Sequence, residues 1–516
     1  MGKMSKDRKE AKMSCVSLPL IVEPWQEMRI ERRLKLVANI YNAMKDYEWD
    51  KIEKIRESSE WKNELSDAIL KQYHDELDEI NKEKKLSQEQ KERVIAIKEE
   101  MKRVYNRRND IYFENNINKF GFIADLKQFY LPYNNVIPQK LAVQTIATPL
   151  WMAFQKCLFG NGNIPKYRKY KFTNTLMTDG KSGMRLLNES GRYYVVLSNQ
   201  RYNAKPIKLP VKISDNPYDL DMINRDIKQI KLVRKQIKTG YQYYVMLTVV
   251  GSPFNKNDRV IGDGIIGMHI YRNKVSVVSN KEAFEFDLAP GVDAYRKELE
   301  ELSRRQNALR QMLNPQNYNE DGTIKNGIYN PETKKLERLK WNTSRKYMQI
   351  SRERRELQRV YMQQREIYIN SMVNKILTMG DKILIADLSF ATERKKKSGD
   401  STIAELVKQK NKRKDIQDGA PAAFLIKLNA KLNYANKEPI DRIRISKDNW
   451  WYCHMIDGSD SSYFKDNYIE MPNGIKYPQG LYRALLIRHY DSDNEAYDHE
   501  AIADELATLL PQYGER

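Results

Sequence analysis

The residues with the clearest chemical use lie in Gly160–Phe172, GNGNIPKYRKYKF, where Lys166, Arg168, Lys169 and Lys171 are interleaved with Tyr167 and Tyr170. On an extended strand this spacing puts the cations largely on one face and the rings on the other. Cations neutralise phosphates and rings stack on bases, so phosphate contact beside a packed aromatic face is one reading. A half-exposed structural strand is the other. A second cluster lies on a long helical pattern, Lys334–Leu377, whose exposed face would carry Arg345, Lys346, Arg352 and Arg355. That face could track a nucleic-acid backbone, or it could be a solvated surface with Glu353 and Glu356 as partners. A third basic group, Arg394, Lys395 and Lys396, opens a charged stretch running to Ala420. The three cysteines, Cys15, Cys157 and Cys453, are far apart and form no CxxC pair. This spacing excludes a disulfide scaffold and a four-cysteine zinc knuckle within the chain.

Lys and Arg total 90 against 69 Asp and Glu, a net charge of +21, and there are 32 tyrosines over 516 residues. The basic residues are spread along the whole length, which points to a nucleic-acid partner. The length allows about two to four domains. No apolar run reaches the roughly 18 residues of a membrane span, and the N-terminus is polar, so a cytoplasmic location and no membrane partner are expected.

Cys15–Val22 is a short apolar strand, and Pro24 ends it. From Trp25 the spacing of Met28, Leu34, Val37, Ile40 and Tyr41 gives one apolar helical face. Charged helical sequence continues to about Arg108, and Pro138 starts an apolar helix that ends near Phe159. Tyr193–Leu197, Ile207–Ile213, Ile227–Val233 and Tyr241–Val250 are β-rich and suggest a small barrel. Cys15–Val22 could complete it, which would make the helical region an insertion. A hairpin follows over 256–291, then helices Tyr295–Met312 and Lys334–Leu377, a buried strand Asp381–Phe390, a helix Ala422–Tyr434, a strand Ile440–Ile445 and a helix Ala501–Leu510.

The order of these parts resembles the TnpB transposon-encoded nucleases and their descendants, the miniature type V CRISPR effectors of the Cas-twelve family. Arg33–Ala43, with its Tyr41-Asn42 pair, resembles the family's early helix. Ile137–Phe154 followed by Ile164–Tyr167, Asp226–Val249, Ile265–Asn280 (IIGMHIYRNKVSVVSN) and KILIADLSF are similar to further family passages. The resemblance implies an α+β multidomain chain: a small wedge-like, OB-like β-barrel with a helical recognition insertion, then an RNase H-like (RuvC-like) domain split by a long basic helix. The expected domains are 1–22, 23–159, 160–257, 258–394, a mobile charged loop 395–420, and 421–516.

The family's nuclease needs three carboxylates that hold two Mg²⁺ ions. Carried over, the first falls on His269, the second on Ala386 and the third near Tyr477. Histidine is a poor Mg²⁺ ligand and alanine is none. Asp387 is one residue off, which on a strand points it to the other face. A second register for the late carboxylate retains Asp491 or Asp493. MPNG, Met471–Gly474, resembles a remnant of the family's zinc turn, but only Cys453, beside His454, is present nearby. The resemblance therefore implies a nuclease-inactive RNA-guided DNA-binding protein with no catalytic metal. Its partners would be a guide RNA, with Mg²⁺ only as RNA counterion, and a double-stranded DNA target. Lys140 and Gln144 match the spacing that reads the motif adjacent to the target. Uncut, bound DNA implies control of transcription, by occupancy or through a sigma factor or RNA polymerase. The alternatives are an active nuclease using Asp263, Asp387 and Asp493, a targeting subunit of an RNA-guided transposition system, and a generic RNA-binding protein.

Overall fold

The computed structural model describes residues 12–82, 87–160, 162–180, 182–197, 206–253, 260–330, 335–386, 413–445, 464–465, 468–470, 475–491, 494 and 496–508. Two compact units divide the chain: Met1–Gln236 with Gly240–Phe254, and Ile237–Thr239 with Asn255–Arg516. Among the described residues no helix is long and apolar enough to cross a membrane.

In the first unit, strand β1 (Met13–Pro19) alternates exposed and buried residues, as its sequence pattern requires. Helices α1 (Pro24–Arg56), α2 (Asp67–Ile80), α3 (Gln88–Glu114), α4 (Lys119–Tyr130), α5 (Gln139–Ala142) and α6 (Thr148–Phe159) follow before the next strand. Helix α1 starts at Pro24 behind a capping box made by Glu23 and Gln26. Ile30, Leu34, Val37, Tyr41, Met44 and Ile52 form its buried face. Between α5 and α6 the helix widens into a π-helical turn over Val143–Ala147.

The strands of this unit are β2 (Thr175–Thr178), β3 (Met184–Glu189), β4 (Arg192–Leu197), β5 (Ile207–Pro210), β6 (Ile227–Ile237) and β7 (Gly240–Val250). They form a four-stranded sheet in the order β1-β7-β6-β2 and a three-stranded sheet β3-β4-β5. The two sheets meet where the chain leaves β1: Ile21 N donates to Pro210 O (2.9 Å) and Lys212 N to Pro19 O (2.8 Å). At the far side, Thr178 Oγ1 donates to Met184 O at 3.4 Å, between β2 and β3.

The second unit holds a five-stranded sheet. Its first three strands, β8 (Ile265–Tyr271), β9 (Lys274–Val278) and β10 (Ala283–Asp287), form an antiparallel meander. The expected single hairpin is thus extended by a third strand. Arg272 takes a left-handed conformation (φ 56°) in the tight turn between β8 and β9. Helix α8 (Val292–Leu313), a small hairpin of β11 (Ile328–Asn330) and β12 (Lys335–Glu337), and helix α9 (Arg345–Met379) follow. The long basic helix therefore begins at Arg345 and not at Lys334, because Lys335–Glu337 pairs as strand. Strand β13 (Lys382–Ala386) then joins β8 in parallel, and β14 (Asp441–Ile443) joins β13. The remainder of the expected strand, 387–390, lies outside the described residues, as do most of loop 395–420, Cys453, His454 and Met471–Gly474. Helix α10 (Pro421–Tyr434) packs with α9 against one sheet face through Phe424, Leu428, Val373 and Ile376. Strands β15 (Phe464–Lys465), β16 (Tyr468–Glu470) and β17 (Lys476–Pro478) lead into helix α11 (Gln479–Arg488), which covers the other face. A closing helix spans His499–Thr508.

A buried carboxyl in α1 gives this fold a pH dependence. The Glu48 side chain is fully buried, and burial pushes its carboxyl up to about 7, although Lys51 lies 3.4 Å away. In the unfolded chain it titrates near 4.5. Between those values the folded state keeps a proton that the unfolded state releases, so stability falls as pH rises from about 4.5 to about 7 and then levels off. Urea unfolding should show Glu48→Gln matching the parent chain near pH 4.5. At pH 8 the variant should exceed the parent by on the order of 3 kcal/mol.

Candidate functional site

Positions 269 and 386 come together on neighbouring strands. Met268 is the partner of Ile385 in the parallel β8–β13 pair, so His269 and Ala386 sit one step further along at the same level. Across β9 and β10, His269 pairs with Ser276, and Ser276 pairs with Glu285. A row Glu285–Ser276–His269–Ala386 thus crosses the sheet, and Ser276 Oγ donates to Glu285 Oε1.

Helix α11 lies directly on this row. Seven consecutive residues, Leu481–Ile487, are buried, and Arg483 is the one charged residue among them. Two glycines permit the approach. A Cβ on Gly267 would lie 2.0 Å from Ala484 O, and a Cβ on Gly480 would lie 2.2 Å from Ser276 Oγ. His269 is buried at 4 % exposure. Burial, then the positive charge of Arg483, push its imidazole down to about 3, so it is neutral at any ordinary pH. Burial likewise lowers Arg483 to about 10, which still leaves it protonated at neutral pH. Ala386 packs in an apolar cluster with Ile443, Ile487 and Tyr490. Tyr477 is on β17, which forms part of a separate three-stranded sheet, and it packs with α11.

His269 and Ala386 do not fit the Mg²⁺ pair that a two-metal nuclease needs. Mg²⁺ takes hard oxygen donors in a near-octahedral shell. Along the row the one carboxylate is Glu285, two strands from His269 and hydrogen-bonded by Ser276; the level of His269 and Ala386 itself offers a neutral imidazole, a methyl group and a nearby guanidinium. Among the described residues no group of three or more His, Cys, Asp or Glu is placed to hold a metal. Asp263 is exposed and precedes β8. Asp491 is exposed at the chain's next turn, where it accepts a hydrogen bond from Asn494 Nδ2 at 2.6 Å. Asp387 and Asp493 lie outside the described residues.

The basic surfaces differ from expectation. Segment 162–172 is not a strand; it is an irregular loop closed by a single 3₁₀ turn, Tyr170–Phe172. The reason is Asn42 on α1, which occupies the loop's backbone groups. Asn42 Nδ2 donates to Arg168 O at 2.9 Å, and Arg168 N donates to Asn42 Oδ1 at 2.8 Å. The Arg168 guanidinium stacks on Tyr41 at 3.8 Å and donates to Thr145 O at 3.2 Å. Arg168 is therefore a structural pin, while Lys166, Lys169 and Lys171 remain exposed. Tyr167 donates to Asp46 at 2.5 Å and lies under the Lys45 ammonium at 3.9 Å.

A second pin holds the far end of the loop. Arg234 is buried and donates to Asn174 Oδ1 (3.0 and 3.1 Å), to Thr173 O (3.1 Å) and to Glu31. Tyr243 donates to the other oxygen of Glu31 at 2.7 Å, and burial beside that carboxylate raises the phenol's pKa. Neither Glu31 nor Arg234 was singled out by the sequence pattern. An Arg on the buried side of an alternating strand was the available signal.

On α9, Arg345, Lys346, Arg352 and Arg355 are exposed. Arg345, Arg352 and Arg355 fall on one helical face, while Lys346 lies about 100° round from Arg345 and opposite Arg355. Arg359 is tied to Glu356 at 2.6 Å. Lys140 forms an ion pair with Asp179 at 3.0 Å, and Gln144 is half-buried in the π-helical turn. Arg394, Lys395 and Lys396 lie outside the described residues.

Among solved structures, the chain is similar to one described as the Cas12f1-sgRNA-target DNA complex. The identity is 11 %, the match covers 92 % of this chain and 98 % of that chain, and the TM-score is 0.42. A CRISPR-Cas12f ternary complex is similar at 12 % identity over the same shares, with a TM-score of 0.23. No model of a known protein family matches the chain, and no curated protein matches it.

The contact of α11 with β8 is directly testable. Gly267→Ala would force its Cβ against a backbone carbonyl. Urea unfolding should show a loss of about 3 kcal/mol or more. A change within about 0.5 kcal/mol would show that α11 does not lie on this strand.

Proposed function

We propose that the protein is a nuclease-inactive, RNA-guided DNA-binding protein, built on the frame of the TnpB and miniature type V effectors. The single observation that carries this reading is the row under α11. At the level where the family's nuclease needs carboxylates, His269 is neutral and buried, Ala386 lies in an apolar cluster, and Arg483 adds a positive charge. A fixed guanidinium disfavours a divalent cation beside it by simple repulsion. The strand order β10-β9-β8-β13-β14, with a long basic helix inserted before β13, supports reading the second unit as a RuvC-like domain. The helices between β1 and β2 support reading the first unit as a wedge-like domain with a recognition insertion.

In this reading, guide pairing supplies sequence specificity and the protein holds the backbone of the guide–target duplex. The net charge of +21 and the exposed cations at Lys166, Lys169, Arg345 and Arg352 support the backbone role. Lys140 and Gln144 are candidates for reading the motif adjacent to the target. Bound and uncut DNA blocks polymerase by occupancy, while activation requires a recruited sigma factor or RNA polymerase. Cutting through Asp263 would require a carboxylate outside the strand on which the other positions lie.

Sequencing of RNA that co-purifies with the intact protein tests the core of the proposal. One discrete guide species, which then directs retention of matched duplex DNA, is expected. A heterogeneous RNA pool with no preferred species would overturn it.

A further inference from the structure

Beside loop 166–172 the first unit has a cleft of about 820 Å³, lined by Tyr41, Thr145, Lys166, Lys169, Phe172 and Met177 among others. Its volume lies within the range of about 300–1,000 Å³ typical of small-ligand sites. It is too small for a duplex and large enough for one nucleoside phosphate.

Three features give the cleft a chemistry. First, one ring at its edge is open: Phe172 is 66 % exposed, with the Lys171 ammonium 5.2 Å from its centroid, whereas the Tyr167 ring is already covered by the Lys45 ammonium. A lone exposed ring needs no explanation, but one on a concave surface beside exposed lysines offers a π-face to a planar ligand. Second, Lys166 and Lys169 are exposed, and neither has an ion pair among the described residues. By contrast, Arg168 of the same loop is taken up by Tyr41 and Thr145. The two lysines are thus left for an anion. Third, the cleft is preorganised. Asn42 fixes the loop backbone at Arg168, and Thr145 fixes the floor by exchanging two hydrogen bonds with Met177, at 3.1 and 2.9 Å. A site ordered before binding loses less entropy on binding.

We infer that this cleft seats one unstacked nucleotide of a single strand, with its base on Phe172 and its phosphate between Lys166 and Lys169. The inference rests on the reading that the protein binds nucleic acid and names where a single base leaves its stack. The nucleotide could come from the guide RNA or from a DNA strand, and the chemistry of base and phosphate is shared by both.

The test uses the full chain free of guide. Binding of labelled single-stranded hexauridylate and hexathymidylate is read by fluorescence anisotropy. The binding site is mapped by photo-crosslinking with 4-thiouridine and 4-thiothymidine forms of the same oligomers. Crosslinks should fall within Lys166–Met177. Phe172→Ala should weaken binding about tenfold at an unchanged thermal midpoint, which its exposure allows. Lys169→Ala should reduce the salt dependence of binding by about one phosphate contact. Tighter binding of the ribo-oligomer assigns the nucleotide to the guide and tighter binding of the deoxy-oligomer assigns it to DNA; either supports the site. Crosslinks confined to other segments, or a loss under about twofold for Phe172→Ala, would overturn it. A discrete guide RNA co-purifying with the same protein would then leave the proposed function standing and remove this site alone.

Discussion

Everything distinctive about the second unit depends on how closely α11 approaches β8. Only glycine fits at position 267, because a single added carbon would lie 2.0 Å from Ala484 O. That contact brings a wholly buried helical turn down onto the sheet. It removes water from His269 and brings Arg483 within electrostatic reach of it. A metal site needs convergent oxygen donors and room for water. Around His269 and Ala386 the contact packs the sheet face in the manner of a core, and this packing is what the proposed function rests on.

The first unit depends on a different kind of constraint. Its basic loop is held by polar side chains that meet backbone groups, because a non-repetitive segment must satisfy its N–H and C=O groups somewhere. Asn42 takes both backbone groups of Arg168, and Arg234 takes the carbonyls of Tyr170 and Thr173. Removing one member of a buried charge pair such as Arg234–Glu31 commonly costs about 3–5 kcal/mol, so this pin matters to stability as well as to shape. The loop held in this way still presents Lys166, Lys169 and Phe172 to solvent.

Much of the frame was legible in the sequence. The apolar spacing of α1, the alternation of β1 and the apolar run of β8 each follow a period that one buried face imposes. His269 and Ala386 are positions that the family resemblance picks out, and their strands are neighbours. The loop at 162–172 was misread because its alternation of cation and ring is compatible with a strand. What prevents a strand is Asn42, more than a hundred residues away, and no local pattern carries that information. Helix α9 was placed too early for a similar reason, since the β11–β12 pairing is a tertiary event. Arg483 carries no local signal of its burial, since an arginine in an otherwise apolar helix reads as a surface residue until the packing on both sides is known.

On the proposed function, the face under α11 does not run two-metal chemistry. The most direct test is incubation of the guide-bound protein with matched duplex DNA and Mg²⁺, with both strands followed by denaturing electrophoresis. A stable complex and intact strands are expected. Guide-dependent cleavage that disappears on Asp493→Ala or Asp263→Ala would contradict the proposed function.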